Sequence, residues 1–348
     1  MTKVLIADIS SVYKKMFIQA VAEVDKTAAV TSAVSGDDLL SMVGRHDYDI
    51  IIIDVEIVGT SLLECLRRIK KEIPKALVLL TARPSSASGV ITADVLAEGA
   101  IDFMTKPLYN SYSENLEVIK NKMAGVFAIL RESRQKKDKP AETQLMRVRK
   151  PVKRGKVRPE LVLIAASTGG PSALETIFGK LSKDFPVPVL VVQHMPPHFT
   201  ETLAKHLGQK SQLQVKVAKK GDVASAGTVY LAPGGVHMKL DAKNMVRLED
   251  SPPLNGVRPA ADALFASVAE SFSGTRVLAV ILTGMGCDGE KGLAWLKEKR
   301  TCFCIAQSER TCVVYGMPRA VAESGLADKV LDLEEIASEI ESFHFPHA

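Results

Sequence analysis

The chain has 348 residues, of which 46% are hydrophobic, and its formal net charge is +5 at pH 7. This length predicts two domains of ordinary size, and the hydrophobic content excludes a disordered chain. The small net charge gives no reason to expect a nucleic-acid partner.

The chain also lacks the features of a secreted or membrane-inserted protein. Met1 to Lys3 leads directly into a short apolar segment, so no signal peptide is predicted. No apolar run reaches the roughly 18 residues that a transmembrane helix needs. The five cysteines have no CxxC spacing, which is typical of reduced thiols. We therefore expect a cytoplasmic protein without membrane insertion.

The first half of the chain alternates apolar runs with amphipathic segments. Strands are predicted at Lys3–Ala7, Asp49–Ile53, Ala76–Leu80 and Ile101–Met104. Helices are predicted at Ser11–Val24, Leu62–Lys71, Ile91–Glu98 and Glu114–Leu130. This alternation indicates an α/β domain with a parallel sheet covered by helices on both faces.

Residues 131–158 differ from the sequence on either side. They contain 12 Lys or Arg against 3 Asp or Glu, a local net charge of 12 − 3 = +9. This composition is typical of a solvated linker between domains, although a basic arm that holds an acidic partner has the same pattern. The predicted organisation is a first domain at 1–130, a basic linker at 131–158 and a second domain at 159–348.

The second half begins another α/β unit. Its predicted strands are Leu161–Ala165, Val187–Val192, Thr228–Ala232, Val277–Leu282 and Cys302–Ala306. Its predicted helices are Ser172–Leu181, Ala260–Ser271 and Glu290–Lys299, and a hairpin-like segment at His237–Leu248 interrupts the alternation. The fold class is thus α/β with two doubly wound domains.

Three strands of this second domain end in a residue of chemical interest, namely Ser167, His194 and, within the loop after the strand, Asp288. Sites in open parallel sheets form outside the carboxyl ends of the strands, so these side chains can converge. A serine needs an imidazole to accept its proton, and the imidazole needs a carboxylate to fix its tautomer. Gly169 allows a tight turn, and backbone N–H groups beside it or near Met285 can hold an oxyanion.

Other interpretations of the same residues stay open at this point. Gly284 to Gly289 matches G-x-G-x-x-G between a strand and a helix, with Glu309 about 20 residues further on. That pattern predicts a dinucleotide site, but it occurs late in the domain and leaves Ser167 and His194 without a role. His237 either lines the site or packs in the core.

The second half strongly resembles the chemotaxis protein-glutamate methylesterase (CheB) family. The resemblance rests on these segments: Ala166–Pro171, Val192–Pro196, Leu231–Gly235, Arg258–Phe265, Thr283–Gly289, Ala306–Gln307 and Tyr315–Pro318. It implies Ser167 as nucleophile, His194 as general base and acid, and Asp288 as the orienting carboxylate, without a cofactor. Thr168, Gly169 and Met285 are then the active-site loop residues that supply an oxyanion donor.

The resemblance also implies the substrate. Enzymes of this family remove methyl groups from glutamate side chains of methyl-accepting chemotaxis receptors and deamidate certain receptor glutamines. The literal G-x-G-x-x-G is then the loop that presents Asp288. A non-catalytic adaptor that docks through both domains is the remaining alternative.

The first half resembles a response-regulator receiver domain, a flavodoxin-like fold. The resemblance implies phosphorylation of Asp54 by the histidine kinase of the chemotaxis pathway, with Lys106 and Thr81 holding the phosphoryl group. Asp8 and Asp54 would bind Mg²⁺, but Ile9 stands where receivers usually carry a second acidic residue. We expect weak Mg²⁺ binding, and a degenerate receiver that only docks and regulates is the alternative.

Overall fold

A computed structural model describes residues 1–83, 98–138, 157–272, 274 and 276–344. The chain divides into two units, residues 1–143 and 144–348, each with its own sheet. The helix predicted at Ile91–Glu98 falls, except for its last residue, outside the described part of the chain.

The first unit contains a five-stranded parallel sheet with the strand order β2-β1-β3-β4-β5. The strands are β1 (Lys3–Ala7), β2 (Ala29–Ala33), β3 (Ile50–Asp54), β4 (Leu77–Ala82) and β5 (Asp102–Thr105). The described helices are α1 (Ser11–Val24), α2 (Gly36–Val43), α3 (Leu62–Glu72) and α4 (Tyr112–Asp138). This is the predicted flavodoxin-like order, and every residue of β3 is buried because helices cover both faces.

Serine side chains begin the first three helices. Ser10, Ser35 and Ser61 each accept a hydrogen bond from the backbone N–H three residues further on. Such caps satisfy N–H groups that have no partner within the helix, so each serine fixes where its helix begins.

Helix α4 is longer than the sequence pattern indicates. It continues to Asp138, so residues 131–138 of the predicted linker are helical. The rest of that linker, residues 139–156, lies outside the described part of the chain.

The second unit contains a seven-stranded parallel sheet with the order β14-β13-β12-β6-β7-β9-β8. Its strands are β6 (Leu161–Ala166), β7 (Val189–Gln193), β8 (Gln214–Val217), β9 (Thr228–Leu231), β12 (Arg276–Ile281), β13 (Thr301–Gln307) and β14 (Lys329–Leu331). An antiparallel hairpin of β10 (His237–Leu240) and β11 (Val246–Glu249) lies outside this sheet, as predicted.

The helices of the second unit are α5 (Gly170–Phe178), α6 (Pro197–Lys210), α7 (Ala261–Ser271), α8 (Glu290–Lys299), α9 (Met317–Glu323) and α10 (Leu333–Ser342). Helix α6 begins at Pro197, the second of two consecutive prolines, although proline disfavours a helix interior. It forms because a proline in the first turn gives up only an N–H that has no intrahelical partner. Within the described ranges, no helix is both long and apolar enough to cross a membrane.

Strand β6 is buried on both faces of the sheet. Leu161 and Leu163 belong to the apolar core that includes residues of α7 and α8. Val162 and Ile164 point to the opposite core, which includes residues of α5 and α10. Alternate residues of a strand face opposite sides, so an unbroken apolar run places β6 at the centre of the sheet.

Helices α7 and α8 approach each other closely at Gly292. A Cβ at this position would lie 2.8 Å from both Asp262 Cα and Phe265 Cβ. We therefore expect Gly292→Ala to destabilise the second unit by about 1–3 kcal/mol, because the helices must separate. Thermal unfolding of the full chain measures the change.

A matched control is Gly208→Ala in α6, where the nearest atom to a Cβ would be Val215 Cβ at 3.8 Å. Alanine has the higher helix propensity, so this variant should be unchanged or more stable by up to about 1 kcal/mol. Equal melting temperatures for the two variants would contradict the close approach of α7 and α8.

Candidate active site

The three predicted side chains come from neighbouring segments of the second sheet. Ser167 directly follows the central strand β6, His194 follows β7 on one side, and Asp288 lies in the loop after β12 on the other. The backbone N–H of His194 donates to Ala166 O at 3.0 Å, and that of Ser167 donates to Thr283 O at 3.0 Å. The segment around Ser167 is thus hydrogen-bonded on one side to the segment after β7, which carries His194, and on the other side to the loop after β12, which carries Asp288.

His194 and Asp288 meet across this rim. Nε2 of His194 lies 2.7 Å from Oδ2 of Asp288. Adjacent strands are about 4.8 Å apart, so β7 and β12 are separated by about 10 Å with β6 between them. The hydrogen bond between their loops therefore passes over the carboxyl end of β6, where Ser167 stands.

The loop after β12 also lies against Ser167 itself. A Cβ on Gly284 would come within 2.7 Å of Ser167 Cβ, so only glycine allows this approach. Among the described residues, neither the Ser167 hydroxyl nor Nδ1 of His194 makes a hydrogen bond. Because Nε2 is engaged by Asp288, Nδ1 is the ring nitrogen that can accept a proton.

Asp288 is held as an anion by several donors. Its side chain is 3% exposed, Oδ2 accepts from Ala261 N–H at 2.5 Å, and Oδ1 accepts from Asp262 N–H at 3.2 Å. Burial alone would raise the pKa of this carboxyl. The hydrogen bond and charge of His194, together with the two N–H donors, outweigh burial and lower the pKa below its usual 3.8.

The predicted oxyanion residues lie in the loops that follow β6 and β12. Gly169 has φ = +79° immediately before α5, and a Cβ there would lie 2.6 Å from the Val313 side chain. In the described part of the chain, the N–H groups of Gly169, Met285 and Gly286 donate no hydrogen bond. Thr168 is buried, and its carbonyl accepts from Thr283 Oγ1 at 2.9 Å. Gly169 therefore presents an unpaired N–H at the N-terminus of α5, and the loop after β12 presents two more.

Two residues that the sequence analysis did not assign hold the loops in place. The Gln193 side-chain amide donates to Ser167 O at 2.9 Å and to His194 O at 3.1 Å. The Thr283 hydroxyl bonds to Thr168 O and accepts from Val314 N–H at 2.9 Å. Both residues are buried polar groups at the end of an apolar strand, which was the signal that identified His194.

His237 is not part of this group. It is fully buried, its Nδ1 accepts from Ala260 N–H at 3.2 Å, and its Nε2 donates to Pro252 O at 3.1 Å. It therefore fixes the segment before α7, and of its two earlier interpretations the structure supports the packing role.

The dinucleotide interpretation of Gly284 to Gly289 does not agree with the structure. A pyrophosphate would need the N–H groups at the start of α8, but those of Gly289 and Gly292 donate to Asp262 Oδ1 at 3.0 and 2.7 Å. A carboxylate already occupies this helix N-terminus. The glycines instead shape the loop that carries Asp288.

The first unit contains a second cluster of charged residues. Lys106 Nζ lies 2.8 Å from Asp8 Oδ2 and 2.5 Å from Asp54 Oδ2, and the three side chains are fully buried. Thr81 pairs with Asp54 in the strand register, and its hydroxyl has no hydrogen-bond partner among the described residues. The four predicted receiver residues therefore lie at the carboxyl ends of β1, β3, β4 and β5.

Mg²⁺ would find two carboxylates here. Asp8 and Asp54 converge on one ammonium group, while the Ile9 side chain is 41% exposed and offers no oxygen. Burial raises the pKa of Asp8, and the Lys106 hydrogen bond and charge oppose this effect only partly. Mg²⁺ binds through one or two carboxylates plus water or phosphate, so the residues suit a weak site. Within the described ranges, no group of three or more His, Cys, Asp or Glu is arranged so that it could hold a metal ion.

Comparison with known proteins identifies both units. The family model for CheB methylesterase matches residues 162–340, and the model for the response regulator receiver domain matches residues 4–114. The crystal structure of the Thermotoga maritima CheB methylesterase catalytic domain is 44% identical, covers 53% of this chain and 98% of its own, and has a TM-score of 0.50.

Curated relatives extend the likeness over the whole chain. Two of these relatives carry the name protein-glutamate methylesterase/protein-glutamine glutaminase. That of Pyrococcus horikoshii is 36% identical over 96% of this chain and 91% of its own. That of Symbiobacterium thermophilum is 38% identical over 97% and 96%, respectively. The resemblance inferred from the motifs is confirmed: the chain belongs to the CheB methylesterase family and carries a response regulator receiver domain in its first unit.

Proposed function

We propose that this protein hydrolyses γ-methyl esters of glutamate side chains on methyl-accepting chemotaxis receptors and deamidates receptor glutamines, using Ser167, His194 and Asp288. The observation that carries the proposal is the 2.7 Å contact between His194 and Asp288 above the end of the strand that leads to Ser167. The names of the relatives supply the substrate chemistry, because they describe glutamate methyl-ester and glutamine hydrolysis.

The first half of the reaction is acyl transfer to the enzyme. His194 Nδ1 accepts the proton of the Ser167 hydroxyl while Oγ attacks the ester carbonyl carbon. The C–O bond to the methoxy group then breaks, and methanol leaves with the proton from His194. With a glutamine substrate the C–N bond breaks and ammonia leaves instead.

The second half returns the enzyme to its starting state. His194 accepts a proton from water, the hydroxide oxygen attacks the acyl carbon, and the bond to Ser167 Oγ breaks. Oγ regains the proton from His194, and the product is the glutamate carboxylate with one proton released to solvent. Protons move only between Ser167, His194, substrate and water, so these steps need no cofactor.

Two features lower the barrier in this scheme. Asp288 fixes the imidazole orientation and stabilises its protonated form. The N–H groups of Gly169 and Met285, together with the positive end of α5, stabilise the oxyanion that forms on the substrate carbonyl. In unliganded enzymes the serine–imidazole hydrogen bond is often long, and it shortens when substrate binds.

Replacing the nucleophile tests the mechanism directly. Ser167→Ala should lower the rate of methanol release from methylated receptor by a factor on the order of 10⁴ or more, because no acyl-enzyme can form. A serine-directed fluorophosphonate probe should label the native chain at Ser167.

The matched control is Ser172→Ala, an exposed position on α5 only five residues away, which should release methanol at the native rate. Native activity of Ser167→Ala, or probe labelling that persists in this variant, would sink the serine mechanism. The non-catalytic adaptor would instead be favoured if the native chain itself released no methanol.

Replacing the carboxylate tests the role of Asp288. Asp288→Asn should reduce the rate by about 10⁴ while the protein stays folded, because an amide cannot stabilise the imidazolium or fix its tautomer. Methanol release gives the rate, and circular dichroism confirms folding.

The same variant should show a characteristic pH dependence. The pKa of Asp288 is lowered in the folded state, so its ionised form adds stability above the usual pKa of 3.8, and this contribution is lost as pH falls below that value. The stability difference between the native chain and Asp288→Asn should therefore be constant above about pH 5 and shrink as the pH falls from about 5 to about 2. A difference that is constant over this range would contradict the assigned ionisation.

For the receiver unit we propose phosphorylation of Asp54 by the histidine kinase of the pathway, which shifts the population toward a more active esterase. An oxygen of Asp54 attacks phosphorus, the bond from phosphorus to the donor breaks, and Lys106 neutralises the added charge. The Thr81 hydroxyl, which is buried without a partner in the described ranges, donates to a phosphoryl oxygen. Mg²⁺, held by Asp8 and Asp54, would supply further charge neutralisation.

Asp54→Asn should abolish phosphate incorporation from an acyl-phosphate donor and the accompanying rise in methanol release. The exposed control Asp47→Asn should behave like the native chain. Undiminished phosphate incorporation in Asp54→Asn would refute the acceptor assignment.

Ile9→Asp adds a third carboxylate and should tighten Mg²⁺ binding, measured by calorimetry, on the order of tenfold.

A further inference from the structure

A second carboxylate lies beside Asp288 and is not used by the proposed mechanism. Asp262 is 8% exposed, and its Oδ1 accepts from the N–H groups of Gly289 and Gly292 at the start of α8. Burial, and then the charge of Asp288, raise the pKa of Asp262. Two neighbouring buried anions repel each other, so the pair needs a donor between them.

Asn255 supplies that donor. Its Nδ2 lies 2.7 Å from Asp262 Oδ2 and 3.2 Å from Asp288 Oδ1. An amide nitrogen carries two hydrogens, so it can give one to each carboxylate. Aspartate at this position would offer only acceptors and would add a third negative charge.

The backbone at Asn255 has the conformation of a tight turn. Its φ is +52°, a left-handed conformation that disfavours most side chains and that asparagine and glycine tolerate best. Asn255 and Gly256 are the two central residues of this turn, which is closed by hydrogen bonds from Leu254 N–H to Val257 O at 3.1 Å and from Val257 N–H to Leu254 O at 2.9 Å. The Asn255 side chain connects the two buried carboxylates, Asp262 and Asp288.

We infer that Asn255 is a positioning residue for the proposed triad: its amide fixes the rotation of the Asp288 carboxylate so that Oδ2 faces His194, and it offsets the charge of Asp262. The inference rests on the proposed function. Within the described part of the chain, His194 bonds to Asp288, and the charge of Asp288 acts on Asp262. Without Asn255, only the 3.2 Å contact from Asp262 N–H would hold Oδ1.

The test is Asn255→Gly, which accepts the left-handed backbone and removes only the amide. We expect kcat for methanol release to fall roughly tenfold with little change in KM, because a hydrogen bond to a charged group is lost. With one donor fewer, more of the negative charge of Asp288 is directed at His194, which stabilises the protonated imidazole. The acid limb of the kcat profile should therefore move to higher pH by roughly half a unit.

Asn244→Gly is the matched control. Asn244 also has a left-handed backbone, with φ = +58°, but lies in the turn between β10 and β11. Its pH profile and kcat should equal those of the native chain.

Asn255→Asp keeps the side-chain size and should shift the acid limb further than Asn255→Gly, because a third carboxylate joins the pair.

The outcomes separate this inference from the proposed function. If Ser167→Ala is inactive but the pH profile of Asn255→Gly superimposes on that of the native chain, the triad stands and the positioning role is wrong. If Ser167→Ala is active, the proposed function fails whatever Asn255 does. A loss of kcat in Asn255→Gly with an unmoved acid limb would also overturn the role, since general loosening of the loop would explain it.

Discussion

The hydrogen bond between His194 Nε2 and Asp288 Oδ2 is the interaction on which the chemistry proposed for the second unit depends. It joins segments that are 94 residues apart in the chain. It can form only because β7 and β12 flank β6 in the sheet. The parallel sheet thus does more than build a core: its strand order decides which loops can exchange a proton.

Backbone and amide contacts convert this strand order into defined positions. The Gln193 amide donates to the carbonyls of Ser167 and His194, the first residues of the loops after β6 and β7. The Thr283 hydroxyl connects its own loop to the segments at Thr168 and Val314. Each net hydrogen bond contributes only about 1 kcal/mol to stability. Their larger effect is to restrict rotation of the loop backbones, because a displacement of about 1 Å at a reacting group can lower the rate a hundredfold.

The sequence predicted the central parts of both sheets, because long apolar runs such as β3 and β6 are buried on both faces. It also predicted Ser167, His194 and Asp288 as candidates, since polar residues that follow such strands stand out, and the structure places His194 in contact with Asp288. It missed β2, β8 and β14, which have five, four and three residues and lie at the sheet edges. It did not anticipate the bridging contacts of Asn255, because they depend on how a loop folds over α7.

The contact between Gln193 and Gly170 has a consequence for how related chains can vary. A Cβ at residue 170 would lie 1.9 Å from the Gln193 side-chain oxygen, closer than any non-bonded atoms approach. The two positions therefore form one steric unit: glycine at the first is the complement of the long amide at the second. A descendant with alanine at 170 would have to shorten residue 193 in the same lineage, so these two sites should covary rather than drift separately.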